Sequence, residues 1–227
     1  MKLNTLSLKD KNIFSKFLTL RCHRLSAYAF ENIYIWKKLF RIRWAIIEES
    51  LCIFFEDNLG CFLYLPPQAA AQNALVIEET FGIMDSFNKN TQVSRIENLE
   101  TQDLDFFKAP GYSCEEKPFD YLCLRKDLVE LRGERFKSKR ACLNYFTKHY
   151  QFEYLSFSPG ESKACLALYN DWMQGRAQKN EGHFYKGMLG DSLNCLEVLL
   201  KDYSGLDIRV VSLRYPVKSG VLLLVLN

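Results

Sequence analysis

The sequence predicts an α+β fold with a mostly antiparallel sheet, and three observations carry that expectation. First, three short runs rich in Ile, Phe and Trp lie between residues 41 and 65, parted only by Glu49-Ser50 and by Asp57-Asn58-Leu59-Gly60. Runs so close together pair as hairpins, because parallel pairing needs a long crossover. Second, segments with apolar residues at helical spacing stand before and after these runs rather than alternating with each of them. Third, the order of elements begins again after residue 150, which divides the chain into residues 1–124, a connecting region 125–150 and residues 151–227.

In chain order, residues 10–20 and 26–38 read as two amphipathic helices. Ser26 is placed to cap the second, and Phe30, Ile33 and Tyr34 recur on one face. Strands are expected at 41–48, 51–56 and 61–65, where Pro66-Pro67 stops the third. A helix over 69–87 follows, then a strand near 93–99 and an acidic helical turn at 103–107. Pro110-Gly111 leads to a strand at 119–124. A turn at 126–131 ends at Gly133, where a left-handed cap is cheap for glycine. Beyond it, the repeat consists of a strand at 152–157, a helix at 161–175, a polar loop at 174–182, a helix at 189–203, and strands at 208–213 and 221–226 around a turn at 215–220.

Charge is distributed unevenly. The chain has a net charge of +3, too small to make the whole surface a nucleic-acid binder. Residues 125–150, however, hold eight Lys and Arg against three acids, directly after seven acids and two lysines in residues 97–120. From residue 136 the basic region reads as a helix. At about 100° per residue, Phe136, Leu143, Phe146 and Tyr150 share a sector expected to face a core. Lys137, Arg140, Asn144 and Lys148 share the sector about a quarter-turn away. Lys139 falls among the apolar positions. It reads either as a lysine whose stem packs while its ammonium reaches water, or as one aimed into a cleft to hold an anionic substrate.

Phe119-Asp120-Tyr121, Leu128-x-x-Leu131-x-Gly133, Lys137-x-Lys139-Arg140 and Asn144-x-Phe146 together resemble the hinge of the phosphatidylglycerol lysyltransferase C-terminal-domain family (DUF2156). The run Leu25 to Trp36 is similar to that family's first substructure. Ala141 departs from the family's Lys-Arg-Asn, so no side-chain role passes to that position. The resemblance implies tandem acetyltransferase-like (GNAT) units related to the Fem aminoacyltransferases, with mixed, mostly antiparallel sheets. It also implies transfer of an aminoacyl or acyl group from aminoacyl-tRNA or acyl-CoA, with Lys137, Lys139, Arg140, Asn144 and Lys148 as substrate-binding residues. The partners would be tRNA or an anionic lipid headgroup. Against the family, the tail from Val210 departs from pattern and the second unit reads as truncated, so an inactive copy is one expectation.

The remaining chemistry is sparse. Eight cysteines show no C-x-x-C spacing and no zinc-type pairing with the three histidines, and most lie in apolar contexts. They read as small buried hydrophobes of a reduced, cytoplasmic protein, peripheral to a membrane surface at most. No apolar run reaches the length of a membrane span, and the first twenty residues scatter lysines where a signal-peptide core would lie. His23 beside Cys22 reads as a structural neighbour rather than a dyad, and His149 as a cation at a helix C-terminus. No catalytic residue stands out, and no resident metal is expected. Acetyl-CoA users of this fold cradle pyrophosphate on the N–H groups of a glycine-rich turn. Pro66-Pro67 occupies the corresponding turn without those donors. A non-catalytic basic module for RNA or an anionic membrane surface is the competing reading, and loss of binding at high salt without turnover would mark it.

Overall fold

The computed structural model describes residues 2–118, 120–180, 182–215 and 220–226. It divides into two compact units: Met1–Lys117 with Gly190–Leu206, and Pro118–Leu189 with Asp207–Asn227. As the sequence predicts, the fold is α+β and both sheets are antiparallel throughout.

The first unit starts with β1 (Asn4–Thr5), α1 (Lys11–Leu18) and α2 (Phe30–Tyr34). The meander β2 (Arg41–Ile47), β3 (Ser50–Glu56) and β4 (Cys61–Leu63) follows, then α3 (Ala74–Phe87) and α4 (Leu104–Lys108). The sheet order is β1-β2-β3-β4. Leu51 to Phe55 of β3 are almost wholly buried, because both faces of the sheet are covered. Cys52 and Phe54 point to one face and join Ala45, Ile47, Cys61 and Leu63 against Val76 and Met84 of α3. On the other face Phe14 meets Phe30 and Trp44 edge-on at 5.4 and 5.8 Å, and Phe55 stacks on Tyr64 at 4.2 Å. A strand buried on both sides reads as a continuous apolar run, which is what the sequence shows here.

Turns fix the register. Ile47 pairs with Ser50, so Glu48 and Glu49 form a two-residue hairpin turn with φ of 42° and 62°. Positive φ at both positions is the primed turn that matches strand twist, made here without the usual Asn-Gly. In the next turn the Asp57 carboxylate accepts the N–H groups of Leu59 and Gly60 at 2.8 and 3.1 Å. Gly60 takes φ 153°, and a Cβ there would lie 2.5 Å from Asn88 Oδ1. The Asn88 side chain accepts Cys61 N–H at 2.6 Å and donates to Cys61 O at 2.8 Å, pairing with β4 as a neighbouring strand would.

Several elements differ from the sequence expectation. The helix expected over 26–38 is three short pieces, because Ala29 is extended between the 3-10 turn Ser26–Tyr28 and α2. Ser26 is not a cap as expected: Leu25 precedes the 3-10 turn and Ala29 precedes α2, and the Ser26 carbonyl instead accepts Asn32 Nδ2 at 2.6 Å. The helix expected from residue 69 begins at Ala74, capped by Asn73, because Gln68 is still tied to Leu51 by two 2.9 Å backbone bonds. Near 93–99 only a single parallel bridge forms, Leu63 to Ile96, before Asn98 turns the chain with φ 53°. Of the strand expected at 119–124, Phe119 lies outside the described residues; residues 120–124 form no strand and find no ladder partner among the described residues, and Tyr121 is fully exposed.

The second unit holds α5 (Arg125–Glu130), α6 (Lys137–His149), β5 (Glu153–Ser156), α7 (Ser162–Lys179), α8 (His183–Asp202), β6 (Arg209–Tyr215) and β7 (Gly220–Leu226), with α8 passing into the first unit at Gly190. The sheet order is β5-β6-β7. The polar loop expected at 174–182 is mostly helix, since Gln174, Arg176, Ala177, Gln178 and Lys179 are good helix formers and extend α7. Of the turn expected at 215–220, residues 216–219 lie outside the described residues. Ser158 and Glu161 form a capping box ahead of α7, and Glu161 also accepts from Ser212 Oγ at 3.3 Å and Arg214 at 2.9 Å. Among the described residues no helix is long and apolar enough to cross a membrane.

Candidate functional site

The basic helix α6 and the turn before it are the part of the second unit that the sequence marks for binding. Leu131, not Gly133, takes the left-handed cap of α5, with φ 48°; Gly133 follows with φ 86° and opens the next turn. The guanidinium of Arg140 closes this loop by donating to Leu131 O and, at 2.6 Å, to Gly133 O. One of the five expected binding residues therefore also holds the backbone that precedes the helix.

The other four are exposed. Lys137 is 75% exposed with Glu134 at 3.8 Å, and Lys139, Asn144 and Lys148 all face solvent. Lys139 is exposed rather than buried in a core. The apolar sector also departs from expectation, since no residue of α6 is buried. Leu143 is half exposed, while Phe146 packs on Tyr150 and Phe152 at 5.3 and 5.1 Å. The stripe is too narrow, with Lys139 inside it and Lys137, Arg140 and Lys148 along one side, to enter a core. His149 sits in the last turn as expected, stacked on Tyr145 at 4.2 Å with Nδ1 2.8 Å from Tyr145 O. The helix is thus a solvent-facing cationic surface, containing four Lys and Arg and no acid.

The first unit contains a buried polar cluster that sequence reading missed. Glu100 accepts from Arg24 N–H at 2.7 Å, from His23 Nδ1 at 2.9 Å and from Gln102 Nε2 at 2.9 Å. His23 therefore pairs with Glu100, not Cys22, and its ring stacks on Tyr28 at 3.8 Å. Arg21 meets Asp103 at 2.5 Å, and the Tyr28 hydroxyl donates to Asn98 O at 2.9 Å. Burial would raise the Glu100 carboxyl, but the Arg24 N–H, the His23 ring and the Leu25 N–H outweigh it and hold it below the usual range. Burial, with Glu100 and Asp103 adding to it, pushes the Tyr28 hydroxyl up. The cluster joins residues 21–28 to residues 98–103 and acts as a lock between distant segments. A lone His-Glu contact separated by more than seventy residues leaves no spacing signal in the sequence. Burial also pushes the thiols of Cys61 and Cys195 up to about 12 and about 11, which makes them poor nucleophiles.

Pro66 and Pro67 are buried between Tyr64, which donates to Ile53 O, and Gln68, bridged to Leu51. The two prolines bulge out of an otherwise antiparallel track, where their missing N–H groups break no ladder bond.

Comparison with known proteins locates this architecture. The sequence profile of the phosphatidylglycerol lysyltransferase C-terminal family matches residues 20–202. Among solved structures, a conserved protein of unknown function from Bacteroides thetaiotaomicron VPI-5482 superposes with a TM-score of 0.79 at 19% identity, covering 98% of this chain and 73% of that one. That likeness shows the fold alone. Comparison with curated proteins returns no match. The matched span takes in most of the first unit, the basic helix and all of α8, and on that extent the chain belongs to the phosphatidylglycerol lysyltransferase C-terminal family.

Proposed function

We propose that the chain is an aminoacyl- or acyl-transferase-like protein built from two acetyltransferase-like units, with α6 binding the phosphates of its donor. The observation that supports this most is the solvent exposure of Lys137, Lys139 and Lys148 on an acid-free helix within a chain of this family. Such a surface suits a polyanion, because each phosphate contact releases counterions. Aminoacyl-tRNA is favoured over acyl-CoA as donor, since the buried Pro66-Pro67 turn offers no N–H groups to a pyrophosphate in the first unit. Transfer from an activated ester needs positioning and oxyanion stabilisation more than a covalent nucleophile. The protein would act in the cytoplasm.

One observation favours a second reading, a non-catalytic module on an anionic membrane surface. Leu143 and Tyr145 are 50% and 58% exposed on the same helix as the lysines. A helix with cations and exposed apolar groups suits a headgroup region.

Binding of unfractionated tRNA, measured by fluorescence anisotropy from low to moderate salt, tests the proposal. The triple variant Lys137→Gln/Lys139→Gln/Lys148→Gln is expected to bind more weakly and to lower the log–log salt slope by about 2. An unchanged slope overturns the role of α6. Vesicles containing phosphatidylglycerol, set against pure phosphatidylcholine, separate the readings. Vesicle binding with no tRNA affinity and no transfer of labelled amino acid supports the second.

A further inference from the structure

We infer that the first unit carries a binding groove for a small organic phosphate monoester, between residues 37–42 and the last turns of α8. The groove has a volume of about 730 Å³, and Thr5 and Leu6 line it together with residues 37–42, Glu197, Val198, Lys201 and Asp202. That volume lies within the range of small-molecule sites. It uses no residue of α6 and stands or falls separately from the transferase reading.

The floor is apolar. Leu6, Ile42 and Val198 are all buried, and Leu39 and Phe40 are half-buried beside them. The rim holds four cations, Lys37, Lys38, Arg41 and Lys201, against two carboxylates, Glu197 and Asp202. Two of the cations are already committed. Lys37 meets Asp202 at 2.5 Å and donates to the Tyr34 hydroxyl, which in turn donates to Asp202 at 2.9 Å. Lys38 pairs with Glu197.

The other two cations are under-compensated. Arg41 has Glu56 only at 3.6 Å, and that carboxylate lies closer to Arg43, at 3.0 Å. Lys201 bonds no carboxylate among the described residues and acts on Asp202 only through its field. The groove therefore presents a surplus of two positive charges above an apolar floor. A phosphate monoester carries between one and a half and two negative charges near neutral pH, about the amount required. Inorganic phosphate would match the charge but leave the floor wet, and an uncharged apolar molecule would leave Arg41 and Lys201 unmatched.

The committed pairs also keep the rim cationic. Burial would lower the Lys37 ammonium, but its bonds to Asp202 and Tyr34 raise it above its ordinary value, so it does not titrate near neutrality. It is a fixed charge rather than a base.

Phenyl phosphate is the probe. Titrated into the full-length 15N-labelled chain, it is expected to give saturable amide shifts confined to residues 37–42, 197–202 and the adjoining Thr5-Leu6. Inorganic phosphate and phenol, each alone, should bind about tenfold more weakly or worse. The variant Arg41→Gln/Lys201→Gln should lose about tenfold or more in affinity for phenyl phosphate with an unchanged thermal melt, since both side chains are exposed. Adenosine 5′-monophosphate and hexanoyl lysophosphatidate, run as parallel arms, distinguish a nucleotide from a lipid source by which binds tighter. The inference is overturned if millimolar phenyl phosphate shifts nothing in the groove. It is equally overturned if inorganic phosphate binds as tightly, or if the double variant keeps wild-type affinity.

Discussion

Lys139 and Arg140 are neighbours in sequence, but the structure gives them different tasks. The Lys139 side chain faces water, whereas the Arg140 guanidinium holds two carbonyls of the loop between α5 and α6. A charge-assisted bond to a backbone oxygen is worth more than a neutral one, though partial exposure screens it. Arg140→Gln is therefore expected to destabilise by about 1–2 kcal/mol in urea unfolding. Lys139→Gln should stay within about 0.5 kcal/mol, as surface substitutions usually do. Equal effects of the two would show that the loop does not depend on the guanidinium. A binding experiment on an Arg140 variant must accordingly be read beside its stability, whereas one on Lys139 reports on the surface alone.

Turn geometry sets the behaviour of elements. Glu48 and Glu49 sit in left-handed backbone at the β2–β3 hairpin, a conformation that costs a side-chain-bearing residue about 1 kcal/mol or more. Replacing them with Asn-Gly is expected to stabilise the chain by about 1 kcal/mol and to raise the melting temperature. A loss of stability would show that the two carboxylates contribute something the backbone does not reveal. The hairpin itself was legible in the sequence from the dense apolar runs on either side, but its turn was not: Ile47 pairs with Ser50, which puts the turn at Glu48-Glu49, one residue before the Glu49-Ser50 expected. The neighbouring strands, α1 and α6 were legible for similar local reasons. The strand expected at 93–99 was not, because Asn98 ends the extended track after a single bridge. Of the basic helix α6, its place in the chain and its charge could be read from the sequence, but Arg140's bonds to the loop could not. Nor could the buried pairing of His23 with Glu100, which depends on a contact between segments far apart in the chain.

For the molecule as a whole, four carboxyls that titrate low tie stability to pH. Glu97, Glu100 and Asp202 in the first unit are each held down, against burial that would raise them, by bonds from Lys117 and Arg95, from Arg24 and His23, and from Lys37 and Tyr34. Glu161 in the second unit is held low by the Ser158 N–H, and by Arg214 and Ser212 against burial. The unfolded chain takes up protons at these positions first, so the stabilisation is complete above about pH 4.3 and drains away as the pH falls through the lower folded values. Urea midpoints measured from neutral pH downward should drop in that window. Glu100→Gln should be less stable at neutral pH and show a shallower drop, and a curve parallel to wild type would remove Glu100 from the account. The division of the chain also bears on its synthesis. The first unit needs Gly190–Leu206, whose Asp202 and Glu197 hold Lys37 and Lys38. On a ribosome adding about 5–20 residues per second, the sheet made from the first 117 residues waits on the order of ten seconds for the helix that completes its unit. During that interval the surface that α8 will cover is open to chaperones, and a ribosome that stalls before α8 is finished leaves the first unit without that helix.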